Sequence, residues 1–476
     1  MTTNEIPESE TTHNYPLPSF SHATICIMGV FLMISLGMFV YEISLHSIIF
    51  LALMWVGVQA GLLGYAYADI RNMMNNGIIK ALPAIYIFLL IGMVIASFMQ
   101  SGTIASLLYY GIDLLSPAIF LAAGLVLCSF MSVATGTSWG TVGTVGVVLI
   151  GIGETMGIPL PIVAGMIISG ATFGDKLSPI SDTTNLAAMS ADTNLYRHIH
   201  AMLYTTVPTF IIVLVILSVL GRQYADNALP TAEIHQIQMA LIGAYELNLW
   251  VTLLPLLLMF GMSMKRYSPE LSMSSSILLA MLVAIFYQGK DSADVLNALW
   301  LNSAGDTGIE SIDALLGRGG LYSMAWTLLL SIMALALGGI MHHAGFLRVL
   351  LMHLIAHVKR VSTLIATTIA SGLAGNMAMG ESYISIILNC QLFKDSYQKK
   401  QLDKAVLSRS VEEGSTMTTG LIPWTTAGVF YAATLGVPTL EYAPYAFLNL
   451  LNPIVSIVMA GLGIGLLYKK NGDKAK

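Results

Sequence analysis

Thr135-Gly136-Thr137-Ser138-Trp139-Gly140-Thr141-Val142-Gly143-Thr144 sits at the centre of residues 116–152, a run of 37 positions without one Asp, Glu, Lys or Arg. A helix that crosses a bilayer needs about 20 apolar residues, because the hydrocarbon core is roughly 30 Å thick and the helix rises 1.5 Å per residue. The run is far longer than one crossing requires, and its centre is built of small and hydroxyl residues that weaken a regular helix. Irregular backbone at membrane depth is tolerated only where protein buries it or where it lines a cavity. The stretch therefore reads as a broken helix inside a membrane protein.

A second stretch behaves in the same way. Residues 361–393 are apolar apart from Glu381, and their centre reads Ser371-Gly372-Leu373-Ala374-Gly375-Asn376-Met377-Ala378-Met379-Gly380-Glu381-Ser382. Gly140 and Gly380 are 240 positions apart, as are Gly174 and Gly414. Polar, Pro-containing stretches follow. The first runs Gly174-Asp175-Lys176-Leu177-Ser178-Pro179-Ile180-Ser181-Asp182-Thr183-Thr184-Asn185, and the second runs from Gly414 to Pro423-Trp424-Thr425-Thr426. A shared offset is what internal duplication predicts. Paired Gly/Pro-interrupted segments in corresponding halves are the best sequence pointer to a transporter's binding site. Chance recurrence of Gly and Thr, both common in membrane helices, is the competing reading.

Composition agrees with a membrane protein. Of 476 residues, 56% are hydrophobic and 10% charged, with a mean hydropathy of +0.76. Soluble domains carry about 25% charged residues, so most of this surface must face lipid. The net charge of −5 supplies no basic patch for nucleic acid. Cys26, Cys128 and Cys390 lack metal spacing and read as small buried hydrophobes. Residues 1–21 hold Glu5, Glu8 and Glu10 but no Lys or Arg, the wrong charge for a signal peptide, and read as an uncleaved polar tail.

The apolar runs predict an all-α polytopic protein of about 10 to 13 crossings with re-entrant pieces. A first membrane half spans 22–220 with its motif at 135–185, and a polar connection covers 221–246. A second half spans 247–468 with its motif at 371–426, and a basic tail covers 469–476. The polar connection 288–318 is acidic, whereas 394–409 carries Lys394, Lys399, Lys400, Lys404 and Arg409, and the C-terminal tail carries Lys469, Lys470, Lys474 and Lys476. Lys and Arg near span ends mark the cytoplasmic side, which places both termini there, with Arg71 and Lys80 in agreement.

The chemistry concentrates in the two motifs. Asp175, Lys176 and Asp182 fall between apolar runs, among Ser178, Ser181, Thr183, Thr184 and Asn185. A solvated surface loop is the plain alternative; the density of oxygen ligands favours a cavity that takes a hard cation such as Na⁺. Desolvation disfavours a charged carboxylate, so a carboxylate at that depth holds a proton or a metal cation in turn, and exchange follows. Asp182 and Asp175, with Thr183, are the Na⁺ candidates, Lys176 a counter-ion and Ser138 a further ligand. In the second half, Glu381 lies within a span, where an ionisable group points to function, with Asn376, Thr425 and Thr426 beside it. At least one of Glu412 and Glu413 is expected to pair with a neighbouring Lys or Arg. His198, His200, His342 and His343 flank spans and read as boundary residues. Gly136-Thr137-Ser138-Trp139-Gly140 also spells the G-x-S-x-G pattern of serine hydrolases, but it offers no His partner inside an apolar core, and the chain reads as a transporter, not an enzyme.

The stretch 174–187, preceded by Gly136-Thr137-Ser138-Trp139-Gly140-Thr141, resembles the NhaC-type sodium/proton antiporter family. Gly380-Glu381-Ser382 and Pro423-Trp424-Thr425-Thr426 match its second half, and the resemblance covers nearly the whole chain. It implies the ion-transporter superfamily, two inverted repeats with opposed hairpins, a homodimer and a bacterial inner membrane. It also implies transported Na⁺ and H⁺ with no cofactor. The family includes exchangers that resemble malate/lactate antiporters, so a small carboxylate coupled to Na⁺ or H⁺ is the alternative cargo. The lack of an evident Arg in the central motifs favours the cation.

Overall fold

Lipid offers no partner for backbone amides, so the chain satisfies them within helices. A computed structural model describes residues 17–468 except 81, 115, 180, 226–230, 266, 304–312, 314, 315, 318, 356, 357 and 359. The expected N-terminal tail as far as residue 16, the basic tail 469–476, and the loop charges Asp306, Glu310 and Arg318 lie outside the described residues. In chain order the helices begin with α1 (Phe20–Phe39), α2 (Leu45–Leu62), α3 (Tyr67–Lys80), α4 (Leu82–Gln100), α5 (Thr103–Leu114) and α6 (Pro117–Thr135). Next, α7 (Ser138–Thr141) runs through a π turn (Val142–Gly146) into α8 (Val147–Thr155), followed by α9 (Leu160–Leu177), α10 (Asp182–Ser190) and α11 (Leu195–Arg222). The middle of the chain forms α12 (Thr231–Ala244), α13 (Leu249–Thr252), α14 (Leu254–Met264), α15 (Pro269–Leu282) and α16 (Ser292–Ala298). The second half continues with α17 (Leu321–His343), α18 (Phe346–Ile355), α19 (Val361–Met379), α20 (Ser382–Lys399) and α21 (Lys404–Thr419). It ends with α22 (Thr426–Leu435), α23 (Thr439–Tyr442) and α24 (Phe447–Gly461).

Among the described residues, seven helices are long and apolar enough to cross a membrane, or up to nine if each of two bent pairs counts as one span. The bent pairs are Gln238–Ala244 with Leu249–Met259, at 71°, and Thr439–Tyr445 with Phe447–Gly461, at 53°. The 10 to 13 crossings expected from apolar runs included segments that fold as shorter helices, among them Pro117–Val133 and Thr426–Leu435. Large hydrophobic side chains such as Met54, Phe286 and Ile454 stand exposed along these helices, as a lipid-facing surface requires. The chain is a multi-pass membrane protein. The connection 221–246 is partly helical, since α12 occupies it, and its Leu241 and Tyr245 pack into the main apolar core.

Both breaks are helix ends of one design. α6 stops at Gly136 (φ 72°) and α19 at Gly380 (φ 68°), each in the left-handed conformation that glycine adopts without steric cost. The next residue caps the following helix: Thr137 accepts from the Gly140 amide, and Glu381 accepts from the Tyr383 amide. Gly136 and Gly380 are 244 positions apart, and the same interval separates the starts of α9 (Leu160) and α21 (Lys404) and the caps of α10 (Ser181) and α22 (Thr425). A close backbone approach recurs with it. A Cβ on Gly170 would sit 2.6 Å from the Leu125 carbonyl of α6, and one on Gly414 would sit 2.3 Å from the Ile369 carbonyl of α19. This shared backbone geometry therefore recurs at an interval of 244 residues rather than 240. Gly140, matched to Gly380 by residue type, is an interior residue of α7 and shares none of that backbone geometry.

The three cysteines are free and buried, as small hydrophobes. Arg409, grouped with the basic surface segment in the sequence, is instead 1% exposed. It lies one turn into α21, donates to the Gly465 carbonyl at 2.9 Å and faces Glu413, so helical periodicity turns it inward while Lys404 stays outside.

Candidate functional site

Gly174 lets the last turn of α9 press onto α6: a Cβ there would meet the Ser129 carbonyl at 2.2 Å. Ser132 Oγ donates to the Ala171 carbonyl and Ser178 Oγ to the Val133 carbonyl, at 2.6 and 2.8 Å. These contacts fix the C-terminal turn of α9 beside the break at Gly136. Asp175 and Lys176 emerge from that turn, 5% and 1% exposed.

Asp175 Oδ2 lies 2.9 Å from Lys176 Nζ and accepts from Ser138 Oγ at 3.5 Å, while Oδ1 is buried without a hydrogen-bond partner among the described residues. Lys176 Nζ donates to Thr183 Oγ1 at 2.8 Å and to Glu412 Oε1 at 3.0 Å. An ammonium has three donors, and the three oxygens of Asp175, Glu412 and Thr183 account for all of them. Glu412, fully buried, also accepts from Thr184 Oγ1 at 3.1 Å, and its Oε2 stands 2.6 Å from His198 Nε2. His198 is 0% exposed and its Nδ1 meets Ser408 Oγ.

This cluster forms one wall of a cavity of about 50 Å³. Thr137, Ser138, Asp175, Lys176, Asp182 and Thr183 contribute from the first half; Ser382, Tyr383, Thr416, Thr419 and Tyr431 face them from the second. A water needs roughly 10–15 Å³ on this measure, so the space suits a cation with a few waters. Asp175 and Thr419 are themselves 244 apart in the chain, and Thr419 Oγ1, like Asp175 Oδ1, is buried without a partner among the described residues. Tyr431 OH donates to Ser138 Oγ at 3.1 Å. The hydroxyl of the G-x-S-x-G pattern thus sits between a tyrosine and Asp175, not beside a histidine.

The sequence-selected residues do not all reach the cavity. Asp175, Ser138 and Thr183 line the cavity, with Asp182 at its rim. Asp182 is exposed, holds the Thr183 amide at 2.7 Å and accepts from Tyr383 OH, which ties the first motif to the second break. Thr184 backs the cavity through Glu412. Ser178, Asn185 and Thr425 serve the local backbone: Asn185 donates to the Pro179 and Ser181 carbonyls at 3.0 and 2.7 Å, and Thr425 caps α22. Asn376 clamps α19 to α21 through the Ser415 carbonyl and Thr418 Oγ1. Glu381 is 1% exposed and accepts from Thr426 Oγ1 at 2.8 Å, a second buried carboxyl at the other break.

Two expectations need revision or extension. His198 is no boundary residue: it is buried and paired with Glu412, because α11 begins three residues earlier and turns its first inward position towards α21. His200, two positions on, is exposed and packs on Tyr204 as expected. Glu413 pairs with its neighbour Arg409 at 3.8 Å, whereas Glu412 takes Lys176, 236 positions away. The only sequence signal for Glu412 was a carboxyl pair inside an otherwise small and hydroxyl-rich helix.

Comparison with known proteins places this architecture. The sequence model described as the Na⁺/H⁺ antiporter family matches residues 10–184 and 170–464. The chain is 37% identical to the Na⁺/H⁺ antiporter NhaC of Alkalihalophilus pseudofirmus, over 93% of this chain and 96% of that protein. It is 34% identical to the malate-2H⁺/Na⁺-lactate antiporter of Bacillus subtilis, over 94% and 96% of the two chains. It is also 34% identical to the arginine/ornithine antiporter ArcD of Halobacterium salinarum, over 96% and 95%.

Proposed function

The chain belongs to the Na⁺/H⁺ antiporter family, and from that premise we propose that it exchanges Na⁺ for protons at one cavity, with Asp175 as the carboxylate both ions need. The observation that carries this reading is the charge balance of the buried cluster. Asp175 and Glu412 bring two negative charges and Lys176 one positive, so these three side chains together are one positive charge short. Burying an unbalanced charge is costly, and either a proton or a Na⁺ restores neutrality. Both cannot do so at once, and that mutual exclusion couples the two fluxes.

Ligand chemistry favours Na⁺ over an organic acid. The cavity offers hydroxyls from Ser138, Thr137 and Thr419 beside Asp175, the oxygen donors that hard cations take. Lys176 is saturated by three oxygens and presents no free donor to a substrate carboxylate. The small cavity points the same way. The B. subtilis relative that carries malate and lactate by name keeps the organic-acid exchanger as the second reading.

The breaks at Gly136 and Gly380 flank the cavity from opposite halves, and we read the 244-residue repeat as two inverted halves that rock about it. The basic end bearing Lys394 and Lys404 faces the cytoplasm of a bacterial inner membrane by the positive-inside rule. Reconstitution in proteoliposomes with an internal pH dye tests the reading. Adding NaCl moves protons in the wild type and fails to do so in Asp175→Asn. Malate or lactate flux with no response to NaCl favours the second reading.

A further inference from the structure

Trp139 and Tyr383 are 244 positions apart, and each follows its break glycine as the second residue of the next helix. Both line the cavity. Their partners match as well. Trp139 stacks on Phe430 of α22, with ring centroids 4.7 Å apart and planes 13° from parallel. Tyr383 OH donates to Asp182 Oδ2 at the start of α10. α10 and α22 are the helices whose caps, Ser181 and Thr425, share the same interval. Each ring therefore reaches from its own half of the chain to the other.

The two contacts lie on different sides of the cavity along the axis of α9. From Ser138, beside Asp175, α7 and α8 run back along α9: a Cβ on Gly146 would sit 2.9 Å from Ile167, and one on Gly153 would sit 2.6 Å from Val163. α22 runs the same way, since Tyr431 meets Ser138 and Leu435 meets Gly146. α10 leads onward from the other end of α9 to Asp192, which Lys394 and Lys404 hold, and α20 runs beside it from Tyr383 to Lys394. The chemistry of the two sides differs. Phe430 is 0% exposed, so the stack is a dry plug. Asp182 is exposed and gives one oxygen to the Thr183 amide and the other to Tyr383, so that side is held by a hydrogen bond open to water.

A ring needed only for packing has no reason to recur at matching positions, each on the cavity and each tied to the opposite half. Exchange does supply a reason. Two ions take turns only if the cavity never opens to both sides at once. We propose that Trp139 and Tyr383 are the two gates of the cavity, Trp139 closing it with Phe430 towards the N-terminal end of α9 and Tyr383 closing it with Asp182 towards Lys394 and Lys404. This inference rests on the exchanger reading, since a carrier of that kind needs two closures in series. The latch at Asp182 is the weaker closure, because a hydrogen bond that water can replace contributes little net stability, and it opens first.

The reactivity of a cavity cysteine reads the gates without any transported ion. Cys26, Cys128 and Cys390 are replaced by Ala, and Thr416→Cys places a thiol on the cavity wall. A membrane-impermeant cationic methanethiosulfonate is applied to inside-out and right-side-out vesicles. With both gates intact, labelling is slow from either side. Tyr383→Phe keeps the ring and loses the latch, and it speeds labelling by roughly tenfold, the weight of one hydrogen bond on an opening equilibrium, in one vesicle orientation only. Trp139→Ala speeds it by a similar factor in the other orientation only, through loss of the aromatic pair. Passive ²²Na⁺ efflux from proteoliposomes, with no counter-ion supplied, appears in Trp139→Ala/Tyr383→Ala and in neither single variant. Faster labelling from the same side in both variants, no change in either, or a leak in one single variant overturns the gates. The expected labelling in a protein whose wild type shows no Na⁺-driven proton flux overturns the Na⁺/H⁺ reading and leaves the gates to the organic-acid exchanger.

Discussion

Lys176 holds Asp175 and Glu412 together, and removing it leaves both carboxyls buried without their shared cation. Breaking a buried pair costs about 3–5 kcal/mol, so Lys176→Met lowers the thermal midpoint in detergent well below that of Ser178→Ala, whose single backbone contact is worth about 1 kcal/mol. Equal midpoints would show the cluster to be solvated. Away from the cluster, burial pulls the Lys290 ammonium down to about 8 from its ordinary 10.5, with the ring of Tyr245 4.6 Å away. The unfolded chain therefore binds more protons than the folded one between about pH 8 and 10.5, and stability rises with pH across that window. Thermal midpoints of the wild type and Lys290→Met should converge as pH climbs through it; a constant difference would remove the assigned burial cost. At this scale, Asp175 and Lys176 could be read from the sequence, because a charged pair between apolar runs is conspicuous. Glu412 and His198 could not be read as a pair, since only tertiary packing brings position 198 to 412.

Helix pairs α6/α9 and α19/α21 are each locked by a glycine against the partner's backbone. A methyl at Gly414 would lie 2.3 Å from the Ile369 carbonyl, and backbone cannot step aside as a side chain can. Overpacking of this kind costs about 1–3 kcal/mol, so Gly414→Ala and Gly170→Ala both lower the thermal midpoint, whereas Gly57→Ala, with open space around it, does not. A neutral Gly414→Ala would mean that the helices stand further apart than described. The broken helices themselves were legible, since a charge-free run of 37 residues cannot be one span. Their register was not. Matching glycines by type suggested 240, whereas left-handed caps and close approaches, which depend on backbone conformation, fix 244. Among the described residues seven helices, or nine with each bent pair taken as one span, are long and apolar enough to cross, beside three shorter apolar helices, and hydropathy alone does not reveal where an apolar run bends.

The whole molecule joins two similar sets of helices around a cavity to which both breaks contribute. All-helical, multi-pass architecture followed from composition and from the cost of bare backbone in lipid. The acidic residues at the motif also separated in a way the sequence had not ranked: Asp175 lies at the buried wall and Asp182 at the exposed rim. Orientation is testable at this scale. A cysteine placed at Lys394 should react with a membrane-impermeant maleimide in inside-out vesicles and stay protected in right-side-out ones; the reverse pattern would invert the assignment. The central claim is that Na⁺ and a proton take turns at Asp175. The most direct test is the affinity of purified protein for ²²Na⁺ as a function of pH, with proton release measured on binding. Competition for one site predicts about a tenfold loss of affinity for each pH unit lowered through the competitive range, with one proton released per Na⁺ bound, and both effects lost in Asp175→Asn. Na⁺ binding that is independent of pH and releases no proton would contradict the account.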